Sequence, residues 1–220
     1  MGESNDNSVE QGSYGRTVKY LGIFGGAQGV SMLLNLLRNK VASVLLGVSG
    51  LSVIAIFNRT IQMFSDCTGL SLAFSAIRTM ADAYENADAH VVERCVKVVR
   101  SVAFLTGLVG MLLMLSVTPF ISEWIFGENH TYYLPRFLML APGVFFMAIS
   151  NGELAILRGI KQLNKVAVYT FATALISLLV AVPLYYVMGV GGIFPAILIT
   201  AFLQMVVLLH FSCPLYRYSV

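Results

Sequence analysis

The segment Leu36–Val41 reads LLRNKV and places two cations, Arg38 and Lys40, inside a long apolar stretch. The fold depends on whether the chain turns at these cations or continues through them as one helix. Three residues without Gly or Pro make a poor reversal, whereas the sequence GVSG at Gly47–Gly50 is a good turn. We therefore predict a single helix over residues 19–46, about 42 Å long at 1.5 Å per residue, which is enough to cross a bilayer with some tilt.

The composition on both sides of this helix is that of a membrane protein. The chain has 220 residues, of which 57% are hydrophobic and 11% are charged, and its mean hydropathy is +0.79. A soluble domain carries about a quarter charged residues. Because the apolar excess continues along the whole chain, we predict an all-α, polytopic membrane helix bundle rather than a soluble domain with one anchor.

About six transmembrane helices are expected within residues 18–212. A disordered cytoplasmic tail is expected over residues 1–17, which lack the features of a signal peptide, and a short cytoplasmic C-terminus over residues 213–220. Charge-rich and aromatic connections are predicted over residues 78–100 and 121–134. The remaining helices are predicted over residues 51–79, 96–119, 134–157, 166–188 and 193–211, the last two joined by a turn over residues 189–192.

The cations outside the helices indicate the orientation. Ten lie on one side of the predicted bundle: Arg16, Lys19, Arg78, Arg94, Lys97, Arg100, Arg158, Lys161, Lys165 and Arg217. The other side holds only Arg136. Since cytoplasmic loops of membrane proteins are enriched in Lys and Arg, both termini are expected in the cytoplasm.

The first predicted helix carries a polar face. Gln28, Ser31, Asn35 and Arg38 recur at helical spacing and share one side. Lys40 lies about 200° away from Arg38 around the helix and is expected to reach the headgroups or a neighbour instead. An ionisable residue inside a membrane helix indicates a functional site, so this face is predicted to line a cavity. The alternative is that both cations only mark a helix end.

The second predicted helix repeats the pattern with Arg59, Gln62 and Asp66 on one face. These side chains are expected to face water or each other, because exposing them to lipid is costly. The alternative is an Arg59–Asp66 contact that only locks helix packing.

Polar residues also occur in later helices. Glu153 is the one acid near the end of the fourth helix, where either a coupling-ion role or a packing role is open. Tyr169, Thr173 and Ser177 share a face of the fifth helix. If the polar faces meet, they enclose a wet, cationic cavity at bilayer depth. Guanidinium groups match phosphate geometry, so a lipid whose phosphate enters the cavity while its tail stays in the bilayer fits this chemistry.

Several other classes of function are disfavoured. The sequence has no nucleotide-binding fingerprint, metal cluster or nucleophile motif, so neither an enzyme nor a cofactor is expected. It has no basic block typical of nucleic-acid binding. Its three cysteines, Cys67, Cys95 and Cys213, lack metal-site spacing and are expected to be packing residues.

Two stretches of the sequence resemble a known family. YLGIFGGAQG at Tyr20–Gly29, with LRNK at Leu37–Lys40 and LLGVSG at Leu45–Gly50, resembles the opening of bacterial O-antigen and polysaccharide flippases of the Wzx type. GELAILRGIKQL at Gly152–Leu163 is similar to the segment that closes their fourth helix. These flippases belong to the multidrug/oligosaccharidyl-lipid/polysaccharide exporter superfamily.

The resemblance implies translocation of an undecaprenyl-diphosphate-linked oligosaccharide across the bacterial inner membrane, with ion coupling rather than ATP. It also implies that Arg38 and Arg59 face a central cavity. Family members have two six-helix bundles, twelve or more helices in all, and this chain matches only the N-terminal half. A second half or a homodimer is therefore an expected partner. The alternatives are a related drug or solute exporter and an inactive truncated remnant or membrane scaffold.

Overall fold

The computed structural model describes residues 3–85, 89–126, 130–160 and 162–212. These residues form helices and turns and contain no strand, so the expected all-α class is confirmed. The elements are α1 (Glu3–Glu85), α2 (Ala89–Phe126), α3 (His130–Gly159), α4 (Leu163–Met188), a 3-10 turn (Gly189–Gly192) and α5 (Ile193–Ser212).

Helix α1 is broken at Gly47, where φ is 70° and ψ is −175°. Glycine adopts positive φ without the steric cost that a Cβ imposes. The break divides α1 into a first arm (residues 3–46) and a second arm (residues 48–85). A straight helix would separate Arg38 from Gln62 by about 36 Å, yet both side chains line one cavity. The two arms therefore fold back on each other, and the chain turns at the predicted glycine and not at Arg38–Lys40.

The described residues contain four apolar stretches long enough to cross a membrane: Gly25–Cys67, Val92–Trp124, Leu134–Gly159 and Leu163–Ser212. The first contains the break at Gly47, and the last contains the 3-10 turn between α4 and α5. Each of these two stretches therefore supplies two helices. The described residues therefore form a bundle with six helices long and apolar enough to cross a membrane, the number that the sequence predicts.

The helix ends differ from the prediction. Residues 78–100 and 121–134 are largely helical, because α1 continues to Glu85, α2 covers Ala89–Phe126 and α3 begins at His130. Charged residues do not break a helix, so the helices continue past their apolar parts, and both predicted connections are too long. Helix α1 begins at Glu3, within the expected tail. Residues 213–220 lie outside the described residues.

The core contains an aromatic cluster that joins three helices. The ring of Phe57 lies 4.4 Å from that of Phe137 and 4.9 Å from that of Phe194, measured between centroids. Tilted and edge-on arrangements at such distances are favourable. Phe57 belongs to the second arm of α1, Phe137 to α3 and Phe194 to α5, so the cluster holds these elements together. Large apolar side chains such as Phe120 and Trp124 are exposed on the outside of the bundle.

Candidate functional site

A cavity of about 170 Å³ lies inside the bundle. Both arms of α1, together with α3, α4 and α5, form its walls. Its polar lining residues are Arg38, Asn58, Gln62, Ser177, Tyr185, Thr200 and Gln204, and its apolar ones are Ile61, Met147, Ala181, Ala196, Ile197 and Ala201. None of these residues is an acid, so Arg38 alone gives the cavity a formal charge.

The cavity lies well inside the membrane-crossing part of the bundle. Gly47 and the 3-10 turn after α4 mark the same end of the bundle, since the helices that meet there pack side by side. At about 1.5 Å per residue, Arg38 lies about 14 Å from Gly47, and Ser177 lies about 18 Å from Gly189. The hydrocarbon core of a bilayer is about 30 Å thick. With Gly47 at the edge of such a core, the Cα atom of Arg38 would lie about halfway through it.

Arg38 is held by a neutral partner. Its Nη1 donates a hydrogen bond to Oγ of Ser177 over 2.5 Å, and its Nη2 lies 3.4 Å from Oδ1 of Asn39. Ser177 is 4% exposed. Within the described ranges no carboxylate forms an ion pair with Arg38. The side chain is thus a membrane-embedded cation oriented by a hydroxyl and not neutralised by an acid.

The structure brings some of the predicted cavity residues together and not others. Gln62 lines the cavity with Arg38. Ser31 is buried and donates to the carbonyl of Ala27 over 2.8 Å, a bond within its own helix. Ser31 is therefore outside the lining, and so are Gln28, Asn35 and Arg59, which are exposed.

The two acids singled out from the sequence have different surroundings. Asp66 is half-buried, and the described part of the chain contains no Arg59–Asp66 ion pair. Residues seven apart on a helix are separated by about 10 Å along its axis, farther than the i,i+3 and i,i+4 spacings at which helical side chains commonly meet. Glu153 is 2% exposed and belongs to a compact polar network with Arg100 and Ser212.

This network ties three helices at the end of the bundle opposite Gly47. Nε and Nη2 of Arg100 donate to the two carboxylate oxygens of Glu153, the second bond at 3.0 Å. Nη2 of Arg100 also donates to Oγ of Ser212 over 2.9 Å, and that hydroxyl donates to Oε2 of Glu153 over 2.5 Å. The carboxylate of Glu153 is paired with the guanidinium of Arg100, and both bond to the Ser212 hydroxyl. The buried charge of Glu153 therefore has hydrogen-bond partners within the protein. The arrangement joins the early part of α2 to the ends of α3 and α5.

Sequence reasoning missed the lining residues of α5 and the network partners of Glu153. Thr200 and Gln204 carried a usable signal, because they are one turn apart within an apolar stretch of α5. The signal at Arg100 was misleading, because this residue follows a run of charged residues that indicates a loop between helices. Asn58 belongs to the polar residues of the second predicted helix but was not placed on its polar face, and Tyr185 had no signal that separates it from ordinary interior residues.

No model of a known protein family matches the sequence, and no curated protein matches it. Two solved structures share the fold. One is an inward-facing multidrug resistance MATE family transporter of the MOP superfamily, with a TM-score of 0.72 and 16% identity over 90% of this chain and 47% of that one. The other is an outward-facing multidrug resistance MATE family transporter of the same superfamily, with a TM-score of 0.64 and 18% identity over 87% of this chain and 42% of that one.

The chain therefore spans about half the length of these transporters. At this identity the likeness shows the fold, which is the fold expected from the sequence resemblance. Together with the long apolar helices it identifies a multi-pass membrane protein with the fold of about half a MATE transporter.

Proposed function

We propose that the chain is one bundle of a transporter that moves an undecaprenyl-diphosphate-linked oligosaccharide across the bacterial inner membrane. The observation that carries the proposal is the Arg38 guanidinium, which lines a cavity inside the bundle without an acidic partner among the described residues. A charge in this position is costly and is kept where function requires it.

The chemistry of Arg38 favours an anionic substrate. Guanidinium donates parallel hydrogen bonds to phosphate oxygens, and it stays charged under all physiological conditions. Its field is weakly screened among apolar walls. A lipid-linked diphosphate supplies the missing negative charge at the cavity while its polyprenyl tail remains in the bilayer.

The proposed mechanism needs a second bundle. Transporters of this kind work by rocking one bundle against another around a site near the midplane. A second copy of this chain or another six-helix half supplies that bundle. Both termini are proposed to be cytoplasmic, because they lie at the cation-rich ends of the helices and such ends are usually retained in the cytoplasm.

Export of a drug or another solute is the second candidate. The observation in its favour is the fold shared with two transporters described as multidrug resistance proteins. Cationic drugs would call for an acid in the cavity, and the lining residues include an arginine and no acid. This difference favours the lipid-linked anion.

Complementation of a flippase-deficient strain tests the proposal. We expect the wild-type chain and the Arg94→Ala variant to restore surface polysaccharide, and the Arg38→Ala variant to restore less than a tenth of it. Arg94 is the matched control because it is an exposed arginine outside the cavity. Arg59→Ala should have a smaller effect than Arg38→Ala, since Arg59 does not line the cavity.

Membrane insertion of every variant is checked in the same cells by immunoblot. Full restoration by an inserted Arg38→Ala chain contradicts the proposal. If the wild-type chain inserts without restoring polysaccharide, a second copy of it does not supply the missing bundle, and co-expression with a separate half is the following test.

A further inference from the structure

We propose that the outside of the bundle at α4 binds an anionic phospholipid of the surrounding bilayer. The headgroup lies against two cations at the end opposite Gly47, and an acyl chain follows an apolar stripe along α4. This surface, the α4 lipid face, consists of Arg158, Lys165, Val168, Phe171, Leu175 and Leu179. None of these residues lines the Arg38 cavity, so the site does not depend on what the protein transports.

The cations at this end of the bundle differ in their partners. Lys97 and Arg100 each pair with a carboxylate. Arg158 and Lys165 form no ion pair within the described ranges. The sequence offers them no acid nearby, because residues 154–220 contain neither Asp nor Glu. The connection between α3 and α4 therefore carries positive charge that the described part of the chain does not neutralise.

The position of Lys165 adds to this imbalance. Lys165 lies in the first turn of α4, which holds no acid, and the preceding Gln162 supplies no side-chain cap. A helix carries partial positive charge at its N-terminus, so a cation there is unfavourable. Arg158 lies in the last turn of α3, where a cation is favourable. The helix ends thus account for Arg158 and not for Lys165, whose charge calls for an anion from outside the chain.

The two cations are at the level of phospholipid headgroups. Along α4, Lys165 lies about 36 Å from Gly189 at 1.5 Å per residue. The hydrocarbon core of a bilayer is about 30 Å thick. With Gly189 at one edge of this core, Lys165 would lie about 6 Å beyond the other edge, among the headgroups. Arg158 is placed at the same end by the short connection between α3 and α4.

An apolar stripe runs from this level into the core of the bilayer. Four exposed side chains share one face of α4 at helical spacing: Val168, Phe171, Leu175 and Leu179. The stripe is about 16 Å long, close to half the thickness of the core. Asn164 lies one turn before Val168 and is exposed on the same face. The surface therefore has a polar end and an apolar length that match a phospholipid of one leaflet.

The charge of the surface selects the class of lipid. Phosphatidylcholine carries its own cation beside the phosphate, and the two cations of the protein repel it. Phosphatidylglycerol carries the phosphate charge alone. Attraction of an anionic lipid to one Lys or Arg near the membrane surface corresponds to about a fivefold change in binding. A free anion in water has nothing to cover the apolar stripe, whereas the chain of a lipid does.

Quenching of tryptophan fluorescence by brominated lipids tests the site. The one tryptophan of the chain, Trp124, is changed to phenylalanine, and Phe171→Trp places a reporter on the α4 lipid face. The full chain is reconstituted in phosphatidylcholine bilayers that contain increasing fractions of brominated phosphatidylglycerol. Comparison with brominated phosphatidylcholine gives the relative binding constant of the two lipids at the reporter. We expect phosphatidylglycerol to be preferred at least fivefold.

Variants assign this preference to the two cations. Arg158→Gln and Lys165→Gln are each expected to weaken it, and the double variant is expected to bind both lipids equally within a factor of two. Lys97→Gln is the matched control, since the Lys97 ammonium at the same end already has a carboxylate partner over 2.6 Å. Circular dichroism and thermal unfolding show whether each variant is folded.

The native Trp124 provides a second control at the other end of α2. It is exposed and follows the exposed Glu123. In the chain that retains Trp124 and Phe171, we expect no preference for phosphatidylglycerol at this reporter.

Three results overturn the site. The Phe171→Trp reporter shows no preference, the folded double variant keeps the preference, or Trp124 shows the same preference, which would make the attraction general. Loss of the preference on addition of inorganic phosphate at constant ionic strength assigns the cations to a free anion and refutes the lipid. All these outcomes are independent of complementation, so failure of the transport proposal leaves the lipid site standing, and the reverse also holds.

Discussion

Arg38 and Glu153 are both charged residues among membrane helices, and their surroundings assign them different roles. Arg38 has a neutral partner in a cavity, so its charge is available to a ligand. Glu153 accepts hydrogen bonds from Arg100 and Ser212 and has little contact with solvent. A carboxylate that is already satisfied by protein donors has little capacity left for a coupling ion. The geometry therefore favours the packing role for Glu153.

Replacing Glu153 by alanine is expected to destabilise the bundle by about 3 kcal/mol, the lower end of the range for breaking a buried ion pair. The lower end applies because the Arg100 side chain is 29% exposed and can turn toward water. Glu153→Gln should cost less, since the amide oxygen still accepts one bond from Arg100. Glu123→Ala is the control, because Glu123 is exposed. Thermal unfolding in detergent measures all three.

The double variant Arg100→Leu with Glu153→Leu should recover much of this loss, because no unpaired charge remains buried. Ion coupling makes a different prediction for Glu153→Gln, namely normal stability with transport abolished. Observing that combination would count against the packing role.

At the scale of single residues, the sequence allowed only part of the Arg38 cavity and of the Glu153 network to be predicted. Helical periodicity grouped Arg38 with Gln62 as cavity residues because both lie on polar faces of neighbouring helices. The same periodicity could not show that Ser31 bonds to the backbone of its own helix, or that Arg59 is absent from the cavity lining. The partnership of Arg100 with Glu153 depends on tertiary packing between α2 and α3, and no local pattern encodes it.

Helices α2 and α3 pack closely along a seam of small residues. Ala103 and Gly107 on α2 are four residues apart and face Ala148 and Gly152 on α3, which have the same spacing. Small side chains at such spacing let membrane helices approach closely and gain van der Waals contact. The seam ends beside Glu153, so close approach here also brings Arg100 within reach of the carboxylate.

Gly152→Ala is expected to cost about 1–3 kcal/mol of stability through overpacking. A methyl group at this position would lie 2.6 Å from Cβ of Ala103, so the two helices would have to separate. Gly143→Ala on the same helix is the control, because its methyl group would lie 3.6 Å from Cδ1 of Ile61, an ordinary contact. The two melting temperatures are compared in detergent. Equal values for the two variants would show that the seam is not tightly packed.

Turns were easier to predict than helix ends. The positive φ of Gly47 and of Gly189 explains why glycine-rich sequences marked the two reversals correctly. The ends of α1 and α2 near residues 85–89 were misplaced because charged residues were interpreted as a loop. In a membrane protein a helix can continue beyond the bilayer into water, so a change of polarity does not coincide with a change of backbone structure.

At the scale of the whole molecule, the two polar sites lie at different depths of one bundle. The Arg38 cavity is near the middle, and the Arg100–Glu153–Ser212 network is near the end that carries most of the cations. The network fixes the ends of α2, α3 and α5 to each other, and the aromatic cluster around Phe57 joins α1, α3 and α5 nearer the other end. A bundle tied at both ends is suited to move as one body against a second bundle.

The orientation of the bundle in the membrane can be tested by labelling its two ends. Cation-rich helix ends are retained in the cytoplasm, so the turn at Gly47–Gly50 should face the periplasm, and the connection between α3 and α4 should face the cytoplasm. Ser49 and Asn164 are exposed residues at these opposite ends. Each is replaced by cysteine in a chain whose native Cys67, Cys95 and Cys213 have been changed to serine. A maleimide that cannot cross the inner membrane is expected to label Ser49→Cys in intact cells and Asn164→Cys only after permeabilisation. Labelling in the reverse order would show that the bundle has the opposite orientation. The phosphate of a cytoplasmic lipid would then have to reach Arg38 from the end marked by Gly47.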